Sequence, residues 1–110
     1  MDEYYYAREK LWNVLRCLAI GEGDVRERLL CSRNDILLLS ERDFPEDLRN
    51  EFVSIRKQLI KYGPKYDQGG NKYLSSVAHT MKRIKKKTGA EIAEKVFDLY
   101  FGIDEVISQQ

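Results

Sequence analysis

Apolar residues recur along this chain at intervals of three and four, and that periodicity limits its fold more than any other feature. Leu48, Phe52, Ile55 and Leu59 lie along one side of an α-helix and would be scattered over both faces of a strand. A first helix is expected from about Asp2 to Ile20, with Leu11, Val14, Leu15 and Leu18 as its stripe and Trp12 and Ala19 widening it. Gly21 and Gly23 stop it. Asp24 and Glu27 have the spacing of a capping box and open a second helix. Its core face is Val25, Leu29, Leu30, Ile36 and Leu37, with the weak helix formers Asn34 and Asp35 as its point of interruption.

Pro45 suits the first turn of a third helix ending near Tyr62, and Phe44 ahead of it can fold back on Leu48 or Phe52. Residues 63–71, Gly-Pro-Lys-Tyr-Asp-Gln-Gly-Gly-Asn, read as a flexible loop. Leu74, Val77, Ala78, Met81 and Ile84 mark a fourth helix with Lys85, Lys86 and Lys87 in its last turn. Thr88 and Glu91 form a second capping-box pattern and open a fifth helix, whose buried face is Ile92, Ala93, Val96, Phe97 and Tyr100. Gly102 is a candidate kink, and the tail from Ser108 should fray. The expectation is an all-α, compact bundle of four or five helices in a single domain spanning residues 1–110.

Size and composition agree with one packed domain. A mass of 12.9 kDa corresponds to about 6,300 Å² of folded surface against about 18,700 Å² for the extended chain. The chain is 43% hydrophobic and 34% charged, too apolar for disorder and too charged for a membrane protein. The start, Met1-Asp2-Glu3-Tyr4, is not the basic-then-apolar start of a secretory signal. Ile36–Leu39, the longest apolar run, falls far short of a span. Cys17 and Cys31 lack a CxxC pattern or a nearby histidine and read as two reduced thiols. A cytoplasmic location is expected.

Sites of chemistry are sparse. His79 is the only histidine, so no zinc site, metal or cofactor is expected. The Arg–spacer–His signature of all-helical HEPN ribonuclease domains is not met, since Lys72, Tyr73, Leu74 and Ser75 stand where the arginine would be. Gly21-Glu22-Gly23 lacks the third glycine of a dinucleotide fingerprint. Acidic pairs such as Glu46-Asp47 and Asp104-Glu105 are neighbours that solvate. An enzyme is not expected.

The charge is segregated. Residues 1–55 carry a net charge of −4, residues 56–87 carry +9 with Asp67 as their only acid, and residues 88–110 carry −4, summing to the formal +1. The basic block contains Lys82, Arg83, Lys85, Lys86 and Lys87, with Tyr62, Tyr66 and Tyr73 set among further lysines. One reading is a nucleic-acid or polyanion surface in which lysines neutralise phosphates and tyrosines stack on unpaired bases. Another is a solvated helix end, with Lys85–Lys87 stabilising the negative end of the helix dipole or neutralised by Asp98, Asp104 or Glu105. At the other end, Tyr4, Tyr5 and Tyr6 point three ways from one helix and cannot all enter one core stripe. With Trp12 they are candidate protein-contact residues.

The run from Glu27-Arg28-Leu29 to Asp43-Phe44-Pro45-Glu46-Asp47-Leu48-Arg49-Asn50-Glu51-Phe52 resembles a group of small bacterial helical proteins with no established activity. Ala90-Glu91-Ile92-Ala93-Glu94 through Tyr100 resembles their closing helix. The resemblance implies a bacterial source and a helical fold; the Lys82–Lys87 run lies outside the shared pattern. Together these features predict a non-enzymatic protein-interaction module, self-association included, with an unidentified protein partner or a second copy. The alternative is a nucleic-acid-binding protein using segment 56–87.

Overall fold

A 23-residue helix, α6 (Lys86–Ser108), supplies the longest buried stripe of the protein: Gly89, Ile92, Val96, Leu99, Ile103 and Ile107. The steps of three and four between these residues are those of one helical face. In the computed structural model, which describes residues 4–110, helices α1 (Tyr5–Ile20), α2 (Val25–Cys31) and α4 (Arg49–Leu59) all pack against α6. Helices α3 (Arg33–Leu37) and α5 (Ser76–Arg83) fill the remaining sides through α1, α2 and α4. The fold is mostly helical, as the periodicity predicts, with six α-helices among the described residues. None of them is long and apolar enough to cross a membrane. Asp2 and Glu3, placed in the first helix above, lie outside the described residues.

The core is continuous from Ala7, Leu11 and Val14 of α1 through Leu29 and Ile36 to Phe52, Ile55 and Leu59 of α4. Phe44 is fully buried and stacks on Phe52 at 4.7 Å between ring centroids. Phe44 thereby fixes how the chain enters α4. Arg49 ties down the same stretch of chain: its Nε donates to the carbonyls of Glu41 and Phe44, each at 3.1 Å.

Four sequence expectations are corrected. The second helix breaks at Ser32, not at Asn34–Asp35, because the buried Ser32 hydroxyl donates back to the carbonyls of Leu29 and Arg28 and competes with the helix ladder. Residues 63–71 are not a featureless loop: Lys65–Tyr66 (β1) pairs antiparallel with Lys72–Leu74 (β2), which also moves Leu74 from the fourth helix into a strand. The turn holds because Asp67 Oδ1 accepts from the N–H groups of Gly69 and Asn71, both at 2.9 Å, and Gly70 takes the left-handed φ of 83°. The last helix begins at Lys86, so Thr88 is inside it rather than capping it. Gly102 leaves that helix unbroken and accommodates Leu48.

The Asp24–Glu27 capping box forms as expected: the Asp24 carboxylate accepts from the Arg26 N–H at 2.8 Å, and Glu27 reaches back to the Asp24 N–H at 3.2 Å. The molecule measures 52 × 26 × 19 Å. Its accessible surface of 7168 Å² exceeds the roughly 6,300 Å² typical of its mass.

Gly89 is where α6 touches α2. A Cβ there would come within 2.9 Å of Val25 Cγ1 and 3.2 Å of Arg26 Cγ. The branched Val25 side chain has little freedom to yield. Gly89→Ala is therefore expected to lose about 1–3 kcal/mol from overpacking, outweighing the gain of about 1 kcal/mol in helix propensity. At Gly102 the neighbour is the half-buried Leu48 side chain at 3.2 Å, and Gly102→Ala should stay within about 1 kcal/mol of the parent. Urea unfolding of both variants checks the contrast, and equal losses would refute it.

Candidate interaction surfaces

Helix α6 is more apolar than its buried stripe requires. Ala93, Phe97, Tyr100 and Phe101 lie beside that stripe, next to α1. The two helices run antiparallel, in a register fixed by the Arg8–Asp104 ion pair at 3.0 Å and by Trp12 against Tyr100 at 5.9 Å between centroids. Between them lies an open groove of about 870 Å³, lined by Trp12, Leu15, Arg16, Leu18, Ala19, Ile20, Ala93, Glu94, Phe97, Tyr100 and Phe101. Its floor is an aromatic chain. Trp12 leans on Tyr100, Tyr100 meets Phe101 edge-on at 5.2 Å, and Phe101 packs on Phe97 at 4.6 Å. Trp12 is 54% exposed, Phe97 51% and Phe101 50%.

Of the candidate contact residues, the structure brings Trp12 and Tyr5 together. Tyr5, with Arg8 over its ring at 4.8 Å, lines a depression with Arg8, Glu9, Trp12 and Tyr100 that continues the groove. Tyr4 is half-buried against the core. Tyr6 is exposed beneath Lys10 Nζ, 5.5 Å away, and lines neither depression. Phe97, expected in the core, is half in solvent, a correction with a geometric cause: positions 92, 96, 99 and 103 already fill the buried face, and 97 lies outside that arc. Phe101, Ile20, Arg16 and Glu94 carry no signal of their own in the sequence. The signal available was that α6 has apolar residues on more than one face, which marks a helix with a second neighbour.

The second surface is basic. Lys82 and Arg83 end α5, Ile84 and Lys85 are extended, and Lys86 and Lys87 open α6. Lys85, Lys86 and Lys87 are thus not in the last turn of a helix, and the dipole reading is overturned for them: Lys86 and Lys87 sit at a positive helix start, where like charge is unfavourable. Arg26 builds this corner, its Nη1 donating to the Ile84 carbonyl at 3.0 Å while its Nη2 pairs with Asp24 at 2.8 Å. The side chains of Lys82, Lys85, Lys86 and Lys87 are exposed. Among the described residues they form no ion pair: the pairs are Arg8–Asp104, Lys10–Asp35 and Arg26–Asp24. Asp104 is therefore engaged by α1 and not by the basic block.

The hairpin stands beside α5. Thr80, fully buried, receives the Tyr62 N–H on its Oγ1 at 3.1 Å, and His79 Nδ1 lies 2.8 Å from the Gly63 carbonyl. His79 thus ties down the chain that enters the hairpin. Tyr62 is covered by Arg83 at 4.4 Å and approached by Lys61 at 5.5 Å. Tyr66 and Tyr73 are each 56% exposed, and Lys65 Nζ lies 5.8 Å from the Tyr73 ring. All the basic and tyrosine candidates of this block thus fall on the hairpin, on the segment leading into it, or on the α5–α6 corner.

Cys17 and Cys31 are both free thiols, yet their sulfurs are 4.0 Å apart, an adjacency that fourteen intervening positions conceal. Burial pushes the Cys17 thiol pKa up, and its hydrogen bond with Cys31 adds to the shift. No protein-family model, curated protein or solved structure matches the chain.

Two outcomes follow from these geometries. The Asp24 carboxyl is held well below the usual carboxylate range, first by the Arg26 side chain and then by its backbone N–H. A lowered folded-state pKa stabilises above the unfolded value of about 3.9 and is lost as pH falls toward the folded value. The urea midpoint of the parent should therefore exceed that of Asp24→Asn near neutral pH, with the gap narrowing as pH drops through about 4. A gap constant with pH would show that Asp24 acts by shape alone. Iodoacetamide at mildly alkaline pH should modify the exposed Cys31 before Cys17, read by peptide mapping, because the thiolate is the reacting form. The reverse order would contradict the burial argument.

Proposed function

We propose that this chain is a non-enzymatic protein-interaction module that docks a second copy of itself through the α1–α6 groove. The observation that carries the reading is the half-exposed aromatic set Trp12, Phe97 and Phe101. Contiguous apolar patches above a few hundred Å² mark interaction sites. Half-exposed aromatic rings leave on the order of 100 Å² each. Trp12, Phe97, Phe101, Tyr5 and Ile20 then offer about 500 Å² per copy and about 1,000 Å² in a pair, the lower range of specific interfaces.

Charge favours a copy of the same chain. Arg16 stands on the α1 wall and Glu94 on the α6 wall, and among the described residues neither is in an ion pair. The antiparallel register puts Arg16 level with Val96, so Glu94 lies two residues, about 3 Å, along the axis. A twofold axis running along the groove lays α1 of one copy over α6 of the other. Each Arg16 then faces the Glu94 of the opposite copy, and Trp12 enters between Phe97 and Phe101. A reducing, cytoplasmic setting belongs to the same reading, because Cys17 and Cys31 are free thiols at close range and such pairs persist where thiols are kept reduced.

Sedimentation equilibrium should give twice the 12.9 kDa chain mass. Trp12→Ala should weaken the dimer about 30-fold or more, as expected for a central aromatic anchor. Arg16→Glu and Glu94→Arg should each dissociate it, and the double charge swap should restore it. A monomer at every concentration up to about 200 μM would overturn the proposal.

A further inference from the structure

We infer that the β1–β2 hairpin and the α5–α6 corner together form a binding surface for single-stranded nucleic acid. The inference is independent of the groove. It starts from charge placed in space: the +9 segment of the sequence contributes both the hairpin and the corner beside it. Three nearby acids have partners of their own. Asp67, the only acid of that segment, is held by two N–H groups of the hairpin turn. Asp24 is paired with Arg26, and Glu27 caps α2. Asp24 still acts electrostatically on Lys86, but among the described residues Lys82, Lys85, Lys86 and Lys87 form no ion pair, so their exposed ammonium groups are open to a phosphate.

The aromatic rings decide the class of ligand. In the hairpin register Lys65 lies opposite Leu74 and Tyr66 opposite Lys72. Tyr66 and Lys72, opposite one another, share a face; the register shifts between Lys65 and Tyr66, which breaks strict alternation there, and Lys65 Nζ comes within 5.8 Å of the Tyr73 ring. Each exposed ring of this hairpin thus has a lysine beside it. Packing gives no reason for the exposure, since the hairpin places no residue in the buried core. A lysine that meets a phosphate beside a tyrosine that stacks on a base is the recurring unit of single-strand recognition. In a duplex the bases are stacked on one another and would leave these rings unused. An acidic protein would satisfy the lysines but not the tyrosines. The stacked Arg83–Tyr62 pair adds a planar cation beside the corner.

Fluorescence anisotropy with labelled oligothymidylate, oligouridylate and a DNA duplex of equal length tests this. The parent should bind the single strands at least tenfold more tightly than the duplex, with affinity falling steeply as salt rises. The oligothymidylate and oligouridylate arms separate DNA from RNA. Serine replacement of Lys82, Arg83, Lys85, Lys86 and Lys87 together should abolish binding at physiological salt. Tyr66→Ala with Tyr73→Ala should cost tenfold or more while leaving the salt dependence unchanged, because stacking carries no counterions. Each variant is checked for parental helicity by circular dichroism; should the fivefold variant misfold, the tyrosine pair still decides. Absence of binding at low salt overturns the inference. So does equal affinity for duplex with no tyrosine effect, and so does equally effective competition by polyglutamate, which would point to an acidic protein instead.

Discussion

The apolar stripe on α6 is the surface on which the rest of the molecule is arranged. It takes α1 along one flank, α4 along another, and α2 at the point where Gly89 lets backbone and side chain approach most closely. Fully burying each large apolar side chain of that stripe stabilises by about 1.5–3 kcal/mol. Two lysines in the first turn cost only about 0.3–1 kcal/mol each. The core term wins easily, so α6 can begin at Lys86 despite an unfavourable dipole and no side-chain cap. Lys86 recovers part of that cost from the Asp24 carboxylate; among the described residues Lys85 and Lys87 have no ion-pair partner.

The same helix has more apolar surface than the core uses. Ile92, Val96, Leu99 and Ile103 are buried, whereas Phe97 and Phe101 stand half in water next to Trp12. A helix with one neighbour needs one stripe. Here the second stripe is shared between α1 and α6, and it is ordered by their ion pair at Arg8–Asp104. The surplus is therefore a surface held in a fixed shape by the fold rather than loose apolar residues at a fraying end.

Helix type and the identity of most core residues were legible because a buried stripe imposes its period locally. Leu48 apart, the four, three, four spacing of α4 reappears as the buried set Phe52, Ile55 and Leu59. What the sequence concealed depended on contacts between distant positions. Arg26 reaches across 58 positions to the Ile84 carbonyl and helps set the end of α5. Consequently the Thr88–Glu91 pattern, though compatible with a cap, falls inside a helix. The hairpin escaped notice because two- and three-residue strands are too short to show alternation; only the Asp67–Gly70 turn chemistry could have signalled it. The two cysteines meet because α1 and α2 pack side by side, which no spacing rule encodes. Clustering of the basic residues was visible, but that they form no ion pair among the described residues depended on Asp104 pairing with Arg8 and Asp24 with Arg26.

The two proposed surfaces share α6, and their geometry couples them. A twofold axis running along the α1–α6 groove preserves axial position, so it brings the α6 N-termini of both copies to the same end of the pair. Two basic corners then face the same side. Their mutual repulsion works against the aromatic contact and is damped beyond about 8 Å at physiological ionic strength. A polyanion bound across that end would cancel the repulsion and engage both copies, raising effective concentration without any new protein contact. Linkage makes the effect reciprocal: whatever factor the strand adds to pairing, pairing adds to the strand's affinity. On the two proposals taken together, lysines that destabilise a helix start in the isolated chain would be the means by which ligand and partner sense one another.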